Sequence, residues 1–414
     1  MTPLFFTSQA TEMDADGIVL GDFILRYLAA TRRQLGYGVP SLASNDLYSA
    51  LSSSPATFKY FTNFYPPAFE ELFAIVAPLM SEPIDVRGNR RAAHLHGQPR
   101  VTGPTGLPVG RPPKLSPRTR FTLFLGVMRG GMSLIDQVTC SGQNQQALSD
   151  DFYHILFCVQ SALGDQIQWP NAVERHLLRG SLWDWPADKL QCPIAIVDGT
   201  IQKVRQPGDS TEPLLYCSRK TTHGFNHQIV CRWDGKILAV FPGFYGSVHD
   251  SSCYRMTELY ADRASFFSDN ESILADSGYE GCGIMHVLKA PTDPSAIQYN
   301  RRVRRHRVLI EFVIGGVKNT FSIVKDPWIR GANRGFASDA FVVACQLFNF
   351  WMSKYGYLRG VAYQQRHALE TWEAVLLERI GQRAWDADEC MIEMVLNDAA
   401  GNDLYTMFRD RGVI

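Results

Sequence analysis

At residue 192 the hydrophobic pattern of the chain changes period. Before it, apolar residues recur at three- and four-residue steps, as in "PAFEELFAIVAPLM" (67–80); after it they run in short blocks bounded by Gly, Asp and Pro. The first spacing builds amphipathic helices, the second builds strands buried on both faces. Strand, hairpin, helix, strand and helix follow in order. A mixed α/β fold is therefore expected, a sheet flanked by helices, with a helical region ahead of it.

Two of the apolar blocks end on an acid followed by a small residue: "IAIVDGT", with Asp198, and "SILADSG", with Asp276. Gly199-Thr200 is expected to end the first strand. Taken alone, Asp198 reads as a turn residue hydrogen-bonding nearby backbone. A third acid, Glu311, lies in the apolar stretch "RVLIEFVIGG". There Val308, Leu309, Phe312 and Val313 are expected to share a buried helical face, with Glu311 at its margin. Arg304, Arg307 and Lys318 fall on or near the side of Glu311. The Arg307–Glu311 spacing also suits an ordinary helical salt bridge worth about 0.3–0.5 kcal/mol, which leaves the strand-end acids unexplained. Carboxylates gathered together are costly unless a cation neutralises them, and oxygen donors without Cys or His suit Mg²⁺ or Mn²⁺.

Lys+Arg and Asp+Glu balance at 41 each, so net charge names no partner. Its distribution is informative. Residues 87–120 hold eight Lys/Arg and no acid, "NRRVRRHR" (300–307) holds five Arg, and the segment from 361 carries ten acids against five bases. Local basic patches bind phosphate even in a neutral protein. The nine cysteines stand singly with no CxxC pair, which argues against a zinc ribbon or a disulfide framework and suits a reducing compartment. The first residues lack a basic segment followed by an apolar core, which argues against secretion. "AFVVACQLFNFWM" is too short to span a bilayer.

The chain is accordingly read as an N-terminal helical region (1–86), a basic Gly/Pro-rich linker (87–115), a helix-turn-helix-like domain (116–185), a sheet domain (190–355) and an acidic tail (356–414). In the third segment Ser116 is the expected N-cap, Pro117 the first helical residue and Gly130-Gly131 the stop. A short helix, "SLIDQVT", and a longer one from Gln143 follow; long, short, turn and long suits a helix-turn-helix. Gln143 and Asn144 would then meet base edges, while Arg111 and Lys114 of the linker would lie on phosphates. Short helical hairpins are also common structural units, and a Gly/Pro-rich basic loop is equally readable as solvated surface.

The stretches "IVDGT", "YCSRKTTHGFNHQIVCRWDGKI", "GSVHDSS", "LADSGYEG" and "NRRVRRHRVLIEFVIGGVK", in this order and spacing, resemble the PIF/Harbinger transposases, the DDE-type family that includes the Harbinger transposase-derived nuclease. The resemblance covers about 190–350, and 60–165 more loosely. It implies an RNase H-like catalytic domain with Asp198, Asp276 and Glu311 as catalytic triad and metal ligands. Asp250, in "GSVHDSS", matches a further family acid assigned as a metal ligand; by itself it also reads as a helix N-cap. Lys220 matches a basic position that would touch DNA, as would Arg304, Arg307 and Lys318. The implied activity is a metal-dependent DNA endonuclease/transposase that cuts phosphodiesters at element ends and transfers 3′-OH ends to target DNA. It would take Mg²⁺ or Mn²⁺, act in the nucleus, and work with a Myb-like DNA-binding partner or as a homo-oligomer. The alternative is a domesticated, non-catalytic DNA-binding or scaffold protein retaining the fold. A metal phosphoesterase for small substrates is a third reading, against which the basic arm speaks. The long linker, the acidic tail and Gly315-Gly316 depart from the family; each Gly costs a helix about 1 kcal/mol, so an interruption or kink is expected there.

Overall fold

The computed structural model describes residues 46–81, 115–130, 141, 143, 145–180, 192–208, 210–268, 270–325 and 333–356. Residues 1–45 of the expected N-terminal helical region, almost all of the basic linker, the short helix "SLIDQVT", Arg111, Lys114, Asn144 and the acidic tail after 356 lie outside them. The chain divides into two compact units between Cys158 and Val159.

The described part of the first unit is helical: α1 (Asp46–Ser52), α2 (Pro55–Thr62), α3 (Pro66–Ser81), α4 (Pro117–Arg129) and the larger part of α5 (Gln145–Ala162). Ser116 caps α4 as expected, its hydroxyl accepting from the Thr119 N–H at 3.2 Å, and Gly130 closes the helix in the left-handed region. The core is aromatic. Phe58 meets Phe69 edge-on at 5.0 Å, Phe69 meets Phe121 at 5.4 Å, and Phe124 meets Phe152 at 5.1 Å. The buried Arg120 guanidinium is neutralised by Asp151 at 2.7 Å.

The second unit contains α6 (Ala172–Gly180), β1 (Cys192–Lys203), α7 (Glu212–Leu215), β2 (Tyr216–Cys217), β3 (Thr222–Cys231), β4 (Ile237–Tyr245), α8 (Asp250–Arg255), α9 (Glu258–Ala261), α10 (Arg263–Phe266), β5 (Glu271–Ala275), β6 (Met285–His286), α11 (Pro294–Thr320) and α12 (Arg334–Tyr355). The six strands form one mixed sheet in the order β2-β3-β1-β5-β6, with β4 also on β3. β1 pairs antiparallel with β3 and parallel with β5. The β3–β4 hairpin turns at Asp234-Gly235, where Gly235 takes φ +90°. This sheet and its flanking helices are compatible with an RNase H-like DDE fold.

Two polar anchors fix the sheet. Glu271, at the start of β5, is buried between Arg175 (2.8 Å) and Arg179 (2.7 Å) of α6, so its charge is paired twice. Asn349 of α12 accepts from the Ile237 N–H and donates to the Ile237 carbonyl, binding α12 to the start of β4.

Four sequence expectations are corrected. β1 does not stop at Gly199-Thr200: pairing with β3 carries it to Lys203. The single helix expected between the hairpin and the block that ends at Asp276 is three short ones, α8 to α10. The buried stripe of α11 is Val303, His306, Leu309, Ile310, Val313 and Val317, while Val308 and Phe312 are exposed. That stripe follows steps of three and four, and 308 and 312 fall off it. Gly315-Gly316 does not interrupt α11, and a Cβ at Gly315 would meet nothing within 4 Å. Burial of the helix on both sides of the pair outweighs the two glycines' low propensity.

Candidate active site

Asp198 sits in mid-strand, where β1 changes partner. Its parallel pairing with β5 ends at Ile196↔Leu274, while its antiparallel pairing with β3 runs on through Asp198↔Ile229. Two residues beyond Ile196 is Asp198, and two beyond Leu274 is Asp276, so the register brings both acids to one level of adjacent strands. The side chain of Asp198 meets α11, where Oδ2 accepts from Arg307 at 3.2 Å, and Oδ1 accepts from the Gly199 N–H at 2.8 Å. Burial pushes the Asp198 carboxyl up from 3.8 to about 6. Arg307 and the Gly199 N–H pull the other way, and Asp276 and Asp250 add to the rise.

Asp250 approaches from the opposite side of β1. A Cβ on Gly199 would stand 2.3 Å from Asp250 Oδ1 and 2.8 Å from Gln228 Nε2, so a side chain there would have to displace one or both. His249 is the N-cap of α8 and Asp250 its first residue. The Asp250 carboxylate caps no backbone N–H. It is buried, accepting from Asn226 Nδ2 at 2.8 Å and pairing with Arg219 at 2.7 Å. Gln228 accepts a hydrogen bond from the Tyr279 hydroxyl, whose pKa is driven far up by burial and then by Asp198, Asp250 and Asp276 together. Asp276 caps the turn 277–279, accepting from the Gly278 N–H at 2.7 Å.

The structure therefore brings Asp198, Asp250 and Asp276 into one another's fields. Glu311 lies on α11 one turn beyond Arg307, exposed, and forms no hydrogen bond or ion pair among the described residues. Farther along α11, Lys318 donates to the Ile201 carbonyl of β1 at 2.7 Å. Its pKa is lowered to about 8, by burial first and then by Lys220 and Lys203. Lys220 and Lys318, far apart in sequence, thus share one positive patch with Lys203. Arg304 is exposed on α11. In the first unit, Gln143 is half-buried with its N–H on Ser141 Oγ (3.2 Å), and Gln145 and Gln146 are exposed.

Sequence reasoning missed Arg219, Asn226, Gln228 and Tyr279, the residues that hold the acids. The alternation of Asn226 and Gln228 along β3 is the available signal: two buried amides on one face need polar partners.

The donor set fits a hard divalent cation. It is all oxygen, and it contains a carboxyl whose ionisation burial opposes, with Asp276 and Asp250 adding to the effect. As they stand, Asp198 is tied to Arg307 and Asp250 to Arg219, and among the described residues no three His, Cys, Asp or Glu are placed to hold one ion. No described helix is long and apolar enough to cross a membrane.

No curated protein and no solved structure matches the chain. Residues 197–349, from the residue before Asp198 through Asn349 of α12, match the family model of the DDE superfamily endonucleases, and this supports a DDE transposase-like nuclease.

Proposed function

We propose that the chain is a PIF/Harbinger-type DNA endonuclease/transposase that cuts phosphodiesters at element ends and joins the freed 3′-OH ends to target DNA. The observation that carries this is that Asp198 and Asp276, just past the end of β5, come to one level where β1 and β5 run parallel, with Asp250 near enough to add to the rise of the Asp198 carboxyl. Asp198, Asp276, Glu311 and Asp250 are the residues that would hold Mg²⁺ or Mn²⁺. When bound, the ion supplies a Lewis acid and an activated water for attack at phosphorus. Arg307 and Arg304 on α11, with the Lys318–Lys220–Lys203 patch, bind the DNA backbone and orient it over the acids. Arg307 can exchange its bond to Asp198 for a phosphate oxygen. Arg111, Lys114, Gln143 and Asn144, in a helix-turn-helix and its basic arm, contact DNA away from the cut. The nucleus is the compartment, with a Myb-like partner or a second copy assisting end recognition.

The pairing of Asp198 and Asp250 with arginines favours one second reading, a domesticated DNA-binding scaffold in which guanidinium groups have replaced the cation. The test is incubation of an end-labelled duplex carrying the element's terminal repeat with target plasmid and Mg²⁺. Labelled strand joined to plasmid supports the transposase; binding without cleavage supports the scaffold.

A further inference from the structure

A cavity of about 300 Å³ opens between α8–α10 and the loop after Asp276, lined by Tyr254, Leu259, Tyr260, Arg263 and Cys282 together with Gly281 and Gly283. That volume is at the lower end of small-ligand pockets, roughly 300–1,000 Å³. It has room for a flat heterocycle and none for a helix. Its walls are aromatic. Tyr254 is 1 % exposed and Tyr260 43 % exposed, and their rings meet edge-on at 6.1 Å. Tyr260 thus offers an accessible ring face at the mouth, and Tyr254 forms the inner wall.

The hydroxyl of Tyr254 is buried and has no hydrogen-bond partner among the described residues. A buried donor left unmade is costly, and such a group in a cavity wall points to a ligand that completes it. Burial acts most on that hydroxyl, followed by Arg263 and Cys282, both of the same wall. The wall is also built from the acid-bearing elements. Tyr254 lies one turn after Asp250 on α8, and Cys282 lies six residues after Asp276 and donates its S–H to the Ser251 carbonyl at 3.6 Å. The Tyr254 ring packs edge-on against that of Tyr279 at 6.0 Å. Gly281 and Gly283, at φ +76° and +69°, shape the loop that closes the far side.

We propose that this cavity binds one unstacked nucleobase of the DNA strand held at the acids, stacked on Tyr260 and hydrogen-bonded by the Tyr254 hydroxyl to a ring nitrogen or carbonyl oxygen. The inference rests on the nuclease reading, which supplies the strand. Every base has a π-face and an acceptor, so the site is tolerant of sequence. Arg263, held by its bond to the Glu271 carbonyl and lying over the Phe267 ring at 4.7 Å, adds positive charge beside the neighbouring phosphate.

The test uses the full chain and a short thymine-rich single strand in which one base is iododeoxyuridine, which photo-crosslinks to the aromatic ring it stacks on. Mass spectrometry should find the adduct on Tyr260 or Tyr254. Tyr260→Ala, at an exposed position, should weaken binding of the strand about tenfold and abolish the adduct. Tyr254→Phe, which keeps the ring, should weaken binding severalfold. Adducts found only elsewhere, or unchanged binding by Tyr260→Ala, would overturn the proposal. Plasmid nicking is measured in parallel. A chain that nicks DNA with Mg²⁺ but forms no adduct in the cavity retains the nuclease reading and loses the nucleobase site. A chain that neither nicks nor cross-links contradicts both.

Discussion

Asp250 Oδ1 occupies the space that a side chain at Gly199 would fill, 2.3 Å from where its Cβ would stand. One glycine in the middle of a buried strand thereby lets an acid from one face of the sheet act on Asp198, which projects to the other. Gly199→Ala should displace Asp250 or unseat β1 from β3. The expected cost is about 1–3 kcal/mol, the range for overpacking in a close-packed core, with loss of any nuclease activity. Chemical denaturation of the variant checks it, and an unchanged midpoint would mean that Asp250 has room to move at no cost.

Asp250→Asn separates an electrostatic role from a helix-end role. Asp250 is the first residue of α8 and not its cap, so Asn keeps the shape of the side chain and removes only its charge. Burial is the main cause of the raised Asp198 carboxyl and the charge of Asp250 a small addition, so its removal should lower that carboxyl slightly. Carbon-detected NMR titration of the Asp198 side chain reads this directly.

The pH dependence of stability has a fixed sign. Asp198 rises from 3.8 to about 6 on folding, so the folded chain holds this proton more tightly than the unfolded one. Its contribution is fully present below 3.8 and is lost as pH climbs through about 6. The loss is about 3 kcal/mol, at 1.36 kcal/mol per unit. A cation reverses the trend, because it binds the ionised carboxylate. Mn²⁺ affinity should rise with pH up to about 6 and then level off. Thermal melts with and without Mn²⁺ across this window check both signs, and a flat metal effect would remove Asp198 from the ligand set.

Lys318 has the opposite behaviour. Its pKa is lowered to about 8, so it loses its proton within reach of ordinary assay conditions. A bound phosphate restores the charge, so DNA binding takes up a proton there. Affinity for a labelled duplex should fall as pH rises past about 8, and Lys318→Met should remove that dependence. The same substitution should reduce the log–log salt slope by roughly 0.9 if one phosphate contact is lost.

Much of this site is legible in the sequence, because acids at the ends of apolar blocks and a basic, acid-bearing amphipathic helix are local patterns. The β3–β4 hairpin announces itself through Asp234-Gly235, and the start of α4 through Ser116-Pro117. What sequence leaves out is what depends on pairing. Asp198 reads as a strand end because Gly199-Thr200 looks like a stop; only the change of partner from β5 to β3 shows that β1 continues. Arg219 and Asn226 are ordinary residues until the sheet brings them to Asp250, 31 and 24 residues away. The face of α11 was misjudged by one position because both 308–312 and 309–313 satisfy the helical step, and only the sheet decides between them.

The central claim is that Asp276 and its neighbours cut DNA with a divalent cation. The most direct measurement is the nicking of supercoiled plasmid by the full chain with Mg²⁺ or with EDTA, beside Asp276→Asn, whose side chain keeps its shape and loses its charge. Nicking is expected from the unmodified chain with Mg²⁺ alone, and none from Asp276→Asn at an unchanged melting temperature. Equal nicking by both proteins, or none by either while both bind DNA, would contradict it.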